Sequence, residues 1–179
     1  NPSFVHLDVN TQYSLGRSTI RQDQLIDACT DMGMPAVGVT DHNNLFSAYK
    51  LYKSAQKKGI KYIIGSTVTI LDQKERIKSK LSLLCENENG YKNLCALITQ
   101  SYTEKLDKNE PLIDKKWLES RTEGLIAISS SNNGYLQQSK SMDESMALQW
   151  INGLQELFPD RLFVSISRMG IPNEEKVNQ

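Results

Sequence analysis

Apolar and polar residues alternate along this chain in blocks that predict strands and helices in turn. Mostly apolar runs predict strands over 4–9, 36–40, 60–70, 81–85, 124–129 and 161–167. Between them, apolar residues recur three or four positions apart, as on one face of a helix. These helices are predicted around 25–32, 45–55, 91–98, 111–118 and 146–157. Strands that are apolar throughout are typical of a parallel sheet covered by helices, so the pattern predicts an α/β fold with a parallel sheet or a barrel.

Length and composition narrow the class of protein. The 179 residues predict a single domain over 1–179, and the 21 basic and 21 acidic side chains cancel. A neutral balance provides no overall field that would attract nucleic acid or a membrane surface. The three cysteines have no CxxC spacing. They indicate reduced thiols and a cytoplasmic location. No apolar run reaches the ~18 residues of a membrane-spanning helix.

The segment 36–44, Ala-Val-Gly-Val-Thr-Asp-His-Asn-Asn, is the most informative for function, because an apolar strand ends there in Asp41 and His42. Chemistry in α/β folds is concentrated at the carboxyl ends of strands, so a metal or phosphate site is expected at this point. His42 is one of only two histidines in the chain. As alternatives, Asp41 caps a helix that starts near Asn43 and Asn44, and His42 is an ordinary hydrogen-bonded loop residue. The sequence therefore predicts a catalytic scaffold whose site has been emptied.

Five ordered segments carry a resemblance to a known family. They are Phe-Val-His-Leu from Phe4, Met-Gly-Met-Pro-Ala-Val-Gly-Val-Thr-Asp-His from Met32, Gly-Ile-Lys-Tyr-Ile-Ile-Gly from Gly59, Glu-Asn-Gly-Tyr-Lys-Asn-Leu from Glu88, and the run from Asp160 to Glu175. The chain resembles the N-terminal polymerase and histidinol phosphatase (PHP) domain of bacterial DNA polymerase III alpha subunits. The resemblance implies a distorted (β/α)7 TIM-like barrel of the PHP type. We expect this barrel to be incomplete at the C-terminus, with the polymerase domains absent from the chain.

The same resemblance identifies the positions where active members hold a cluster of three metal ions. Here Asp8 and Asn10 replace the first histidine pair, Arg17 an aspartate, Thr67 a glutamate, Lys80 a histidine, Ser131 a cysteine and Ser165 a glutamate, while Asp41 and His42 match. Three divalent ions need many imidazole and carboxylate ligands, so we expect no metal, no catalytic residue and no assignable DNA-binding residue in this domain. Arg17 and Lys80 would repel a metal ion. They could instead mimic its charge and form internal ion pairs.

The function implied by the resemblance is structural. Such a domain packs against the polymerase domains of the same chain and docks the proofreading exonuclease subunit, while DNA is contacted through the parent holoenzyme. The Mg²⁺ of the DNA-directed DNA polymerase reaction would be bound in the absent domains. The rival hypothesis is a surviving metal-dependent phosphoesterase or 3′–5′ exonuclease that uses Asp8, Asp41 and His42. A third hypothesis is a free-standing interaction module unrelated to replication.

Overall fold

A computed structural model of the chain describes residues 4–74, 77–104, 106–130 and 144–166. The helices are α1 (Gln22–Asp31), α2 (Ala48–Lys58), α3 (Glu88–Glu104), α4 (Lys115–Leu118) and α5 (Glu144–Leu157). The strands are β1 (Ala36–His42), β2 (Lys61–Asp72), β3 (Ile77–Cys85), β4 (Ile113–Asp114), β5 (Leu125–Ser130) and β6 (Leu162–Ser165). The predicted order of strands and helices is confirmed from α1 onward, including the direct step from β2 to β3, and β4 is an additional two-residue strand. No helix of the described residues is both long and apolar enough to cross a bilayer.

The strands form one sheet in the order β1-β2-β3-β5-β6, with β4 beside β2. The sheet curls into the half-barrel of an incomplete TIM-like fold. The sheet is mixed rather than parallel throughout, because β3 runs antiparallel to both β2 and β5. The reason is the short connection at 73–76, which is polar and far too short for the crossover that parallel strands require.

The predicted first strand, over 4–9, is mostly an extended segment without ladder pairing. It lies beside β1, where the Gly38 amide donates to the His6 carbonyl at 2.7 Å and a single parallel bridge joins Val9 to Val39. The strand pairing ends there because side chains bind the backbone groups that would otherwise pair next. Asn10 Nδ2 donates to the Thr40 carbonyl oxygen at 2.5 Å, and the Thr11 amide donates to a carboxylate instead.

The two faces of the sheet have different chemistry. One face carries the main apolar cluster, in which strand residues pack on α3 and α5, among them Val68, Ile70, Leu81, Leu83, Leu94, Leu97, Trp150 and Leu154. A second cluster joins α1, α2 and β1, and includes Ile26, Cys29, Val37, Val39 and Leu51. On the other face, Thr67 pairs with both His42 and Ser82, so the three side chains share the concave side. Lys80 shares it too, because side chains alternate along a strand.

Candidate functional site at the end of strand β1

The Asp41 carboxylate accepts four hydrogen bonds in the described structure. Its side chain is buried, with 1 % of the residue exposed. Its carboxylate accepts hydrogen bonds from the Thr11 amide, the Thr11 hydroxyl, the Ser14 hydroxyl and the Ser47 hydroxyl, at 2.7, 2.7, 2.8 and 2.7 Å. A carboxylate offers about four lone-pair positions, so these donors saturate it. Asp41 therefore has no lone pair left for a metal ion.

The prediction that Asp41 caps a helix is wrong, because its carboxylate binds no helical amide. Helix α2 begins at Ala48 with Ser47 at its N-cap position, and Asp41 binds the Ser47 hydroxyl rather than a helical amide. The helix starts later than predicted because a turn comes first, in which Asn44 Oδ1 accepts from the Phe46 amide at 3.1 Å. Asp41 instead fixes the loop over 10–18 against the start of α2.

His42 points away from Asp41, because neighbouring residues of a strand face opposite sides of the sheet. Its amide donates to Ser14 Oγ at 3.1 Å, and its ring Nε2 lies 3.3 Å from Asn43 Nδ2. The ring Nδ1 is buried, and the Thr67 backbone lies close enough to the ring to oppose the fall of its pKa. Burial lowers the pKa of His42 to about 4, helped by the positive charges of Arg17 and Lys80. The imidazole is therefore neutral at pH 7.

Hydroxyl and amide groups occupy the other ligand positions. Asp8 accepts hydrogen bonds from the hydroxyls of Thr40 and Ser82, the latter at 2.9 Å. Ser82 Oγ also lies 2.8 Å from Thr67 Oγ1, so one network links Asp8 to Thr67. Asn10 joins it through the Thr40 backbone. The network links its members through protein donors and acceptors.

Arg17 and Lys80 add positive charge to the concave face. Burial lowers the pKa of Lys80, and the charge of Arg17 lowers it further. Neither side chain forms a hydrogen bond or an ion pair with any residue in the described ranges, so the predicted internal ion pairs are not found there. Glu110 offsets part of this charge, but its carboxylate is already paired with Lys78 at 3.3 Å.

Of the remaining predicted positions, Ser165 lies on β6 opposite Ser130, and Ser131 falls outside the described residues. Ser165 and Asp8 both line a cavity of about 620 Å³ whose other walls are mainly apolar: Val5, Leu7, Ile63, Leu84, Ile126, Ile128, Phe163 and Val164. No three His, Cys, Asp or Glu side chains within the described ranges are placed to hold a metal ion. With a saturated Asp41 and two cations on the concave face, these residues do not fit the family's metal cluster.

Sequence reasoning missed the residues that organise this site. Thr11, Ser14 and Ser47 are almost fully buried polar residues that bind Asp41. Their only signal in the sequence was their small hydroxyl side chains, close before and after the Asp-His pair. Such residues are equally common in exposed turns, so the pattern alone could not identify their partner.

The fold and this site define a PHP-type α/β half-barrel. The family model described as the PHP domain matches residues 6–169, and the chain belongs to that family. The DNA polymerase III alpha subunit of Pseudomonas aeruginosa is 36 % identical over 97 % of this chain. Those of Aquifex aeolicus and Escherichia coli are 34 % identical over 98 % and 97 %. The chain spans only 15–16 % of the length of these relatives.

Solved structures show the same architecture at much lower identity. An amidohydrolase from Chromobacterium violaceum superposes with a TM-score of 0.61 at 10 % identity, over 86 % of this chain and 74 % of that one. A candidate metal-dependent phosphoesterase from Bifidobacterium adolescentis superposes with a TM-score of 0.56, also at 10 % identity, over 97 % of this chain and 80 % of that one. At such identity the likeness establishes the fold alone.

Proposed function

We propose that this chain is the PHP domain of a bacterial replicative DNA polymerase III alpha subunit and that it acts there as a structural domain without phosphoesterase activity. One observation supports the absence of phosphoesterase activity. Asp41, which matches the family pattern, already accepts hydrogen bonds from four donors, and Arg17 and Lys80 bring positive charge where a metal cluster would need ligands. The relatives at 34–36 % identity support the first half.

In this proposal the polymerase reaction belongs to domains outside the chain. Those domains would bind Mg²⁺ and the DNA, and the present domain would need no cofactor of its own. It would pack against the polymerase domains and work in the cytoplasm with the rest of the replicase. Its contribution to replication would then be architectural.

The proposal includes docking of the proofreading exonuclease subunit, and helix α2 supports it. Phe46, Tyr49 and Tyr52 are 71, 69 and 52 % exposed on or just before this helix. Aromatic residues are enriched at protein interfaces, and exposed clusters of them mark contact sites. The α2 sequence has four lysines and no acidic residue, so an exonuclease surface that is acidic would complement it.

The docking role can be tested by cross-linking in the reconstituted complex of the natural-length alpha chain and the exonuclease subunit. With a lysine-reactive reagent, we expect cross-links from Lys50 and Lys53 to the exonuclease subunit. Tyr49→Ala/Tyr52→Ala should weaken the complex by about tenfold or more, since truncated aromatic anchors are typical hot spots. Leu148→Ala, which removes an exposed side chain on α5, is the matched control. Cross-links confined to other domains would overturn the docking role, whereas an unchanged affinity would overturn only the α2 assignment.

The rival phosphoesterase is tested by turnover. Natural-length protein is assayed for phosphatase and 3′–5′ exonuclease activity with Mn²⁺ or Zn²⁺, beside a His42→Ala variant. We expect no activity above background in either protein. Turnover that His42→Ala abolishes would establish the enzyme and refute the structural role. The PHP-like structural neighbours support this rival only through the shared fold.

A further inference from the structure

An apolar groove lies between the turn that precedes α2 and the second half of α3. Its volume is about 450 Å³, within the range of roughly 300–1,000 Å³ that is typical of binding pockets. The lining residues are uncharged and include Leu45, Phe46, Cys95, Ile98, Thr99 and Tyr102. The α3 members recur three or four positions apart, so they form one face of that helix. Thr99 and Tyr102 are exposed, so the described part of the chain does not cover this face.

Hydrogen bonds hold the two sides of the groove in place. The Tyr102 hydroxyl donates to the Asn43 carbonyl oxygen at 3.1 Å, which ties α3 to the turn. Asn44 Nδ2 donates to the Tyr13 carbonyl oxygen at 3.2 Å, and the Tyr13 ring meets the edge of Phe46 with centroids 6.1 Å apart. A groove that is already ordered loses less conformational entropy when a partner binds.

The charge beside the groove is positive at its α2 end. Lys50 follows Phe46 by one helical turn and Lys53 by two, and α2 has no acid in its first turn. The positive end of the α2 dipole lies at the same place. At the other end, Glu104 and the C-terminus of α3 contribute negative charge. A partner with acidic side chains next to α2 would complement this distribution.

We propose that this groove receives a short segment of the exonuclease subunit in which apolar side chains are flanked by acidic ones. The apolar side chains would pack between Phe46 and Ile98, and the carboxylates would lie beside Lys50 and the first turn of α2. The inference rests on the exonuclease docking proposed above. It adds the groove to the exposed aromatic face of α2 and specifies the chemistry of the bound segment.

Occupancy of the groove is tested by thiol labelling. Thr99→Cys places a reporter thiol on the exposed rim of the groove, and Lys116→Cys places one on the exposed side of α4 as the control. Each natural-length alpha chain is treated with N-ethylmaleimide, alone and in complex with the exonuclease subunit, and labelling of each peptide is measured by mass spectrometry. We expect the complex to slow labelling at position 99 by about tenfold or more and to leave position 116 unchanged.

The chemistry of the segment is tested by a pair of variants at the same position. Thr99→Gln and Thr99→Glu add side chains of equal size to the rim, so both should weaken the complex. Thr99→Glu should weaken it further, by a factor of about three or more, because its charge repels an acidic segment. Ser120→Glu, which adds the same charge at an exposed position just after α4, is the matched control and should bind as the wild type does.

Three results would contradict the proposal at different points. Unchanged labelling of Thr99→Cys in the complex would overturn the groove, while cross-links from Lys50 and Lys53 would still support docking on α2. Equal affinities of Thr99→Gln and Thr99→Glu would overturn the acidic character of the segment. Labelling of Thr99→Cys that is already far slower than that of Lys116→Cys in the alpha chain alone would mean that the polymerase domains cover the groove, and would overturn the exonuclease subunit as its occupant.

Discussion

Thr11 and Asp41 are joined by two hydrogen bonds, in which the Thr11 amide donates to Oδ1 and the Thr11 hydroxyl donates to Oδ2, each at 2.7 Å. This paired contact fixes the loop over 10–18 across the end of β1. An aspartate that follows the family's Thr-Asp-His pattern therefore holds protein groups in place here. The same contact ends the ladder with the N-terminal segment, because the Thr11 amide is no longer available to β1.

We predict that Asp41→Ala strongly destabilises the domain. The substitution leaves the Thr11 amide and three hydroxyls without their acceptor in a buried position, at a cost of about 3 kcal/mol or more. Hydrogen exchange of peptides from β1 and the 10–18 loop in the natural-length protein measures the free energy of opening. Asp27→Asn, on the exposed face of α1, is the control: it removes only an exposed ion pair with Lys58 and should cost less than about 1 kcal/mol. Unaltered exchange in Asp41→Ala would show that these bonds do not hold the loop.

A second prediction concerns the packing of α3 on the loop before β5. A Cβ atom added at Gly90 would lie 1.8 Å from the Gly124 carbonyl oxygen, which is backbone and cannot easily move. Gly90→Ala should therefore destabilise the domain by about 2–3 kcal/mol through overpacking. Gly153 in α5 is the matched helical glycine, because its added Cβ would meet a side-chain end, Lys115 Nζ at 3.0 Å, rather than backbone. That ammonium is paired with Asp72 at 3.1 Å and must shift slightly, so Gly153→Ala should cost less than about 1 kcal/mol, and equal effects in both variants would contradict the explanation.

The sequence predicted the fold best where its signal is local. The apolar blocks located β1, β2, β3 and the helices because burial of one face imposes a period that the sequence must carry. The segment over 4–9 has the same apolar character but lacks a full ladder. Its pairing is decided by Asn10 and Thr11, whose partners are about 30 positions away along the chain. The direction of β3 was more accessible, since the short charged stretch before it turns the chain back, and only its pairing with β5 lay beyond the sequence.

The candidate site was predictable in its location but not in its chemistry. The Asp41-His42 pair identified the end of β1, and the family pattern identified the positions where ligands are missing. The saturation of Asp41 depends on Ser14 and Ser47, which reach it from different segments of the chain. The placement of Lys80 opposite Thr69 follows from the antiparallel register of β2 and β3, which residue spacing alone does not fix.

His42 should make the stability of the domain fall in acid. Its folded pKa is about 4, below the ordinary 6.5, so the unfolded chain binds more protons between these values. Stability conferred by the neutral ring is therefore complete above pH 6.5 and is lost as the pH falls towards 4, by about 1–2 kcal/mol after allowing for solvent screening. In His42→Gln this part of the pH dependence should disappear from the free energy of opening, measured by hydrogen exchange between pH 4.5 and 7. The exposed His6 supplies the control, His6→Gln. The same loss in acid in all three proteins would contradict the assignment to His42.

We also predict that the positions of the family's metal cluster bind little or no metal in this protein. Protein purified without chelator and without a metal affinity tag should contain Zn, Mn and Fe well below one equivalent when analysed by plasma mass spectrometry. The physical reason is that Asp41 is saturated and that Arg17 and Lys80 repel a divalent ion. His42→Ala should leave the content unchanged. Two or three equivalents of metal, lost in His42→Ala, would mean that the cluster forms despite these contacts.

Lys80→Met should stabilise the domain. The lowered pKa of Lys80 means that the folded state disfavours its charge, through burial and through Arg17, and methionine keeps the apolar stem without that charge. Hydrogen exchange of β3 peptides measures the change in the free energy of opening, with Lys50→Met, which removes an exposed lysine of α2, as the control. A variant less stable than the wild type would mean that Lys80 has a stabilising partner.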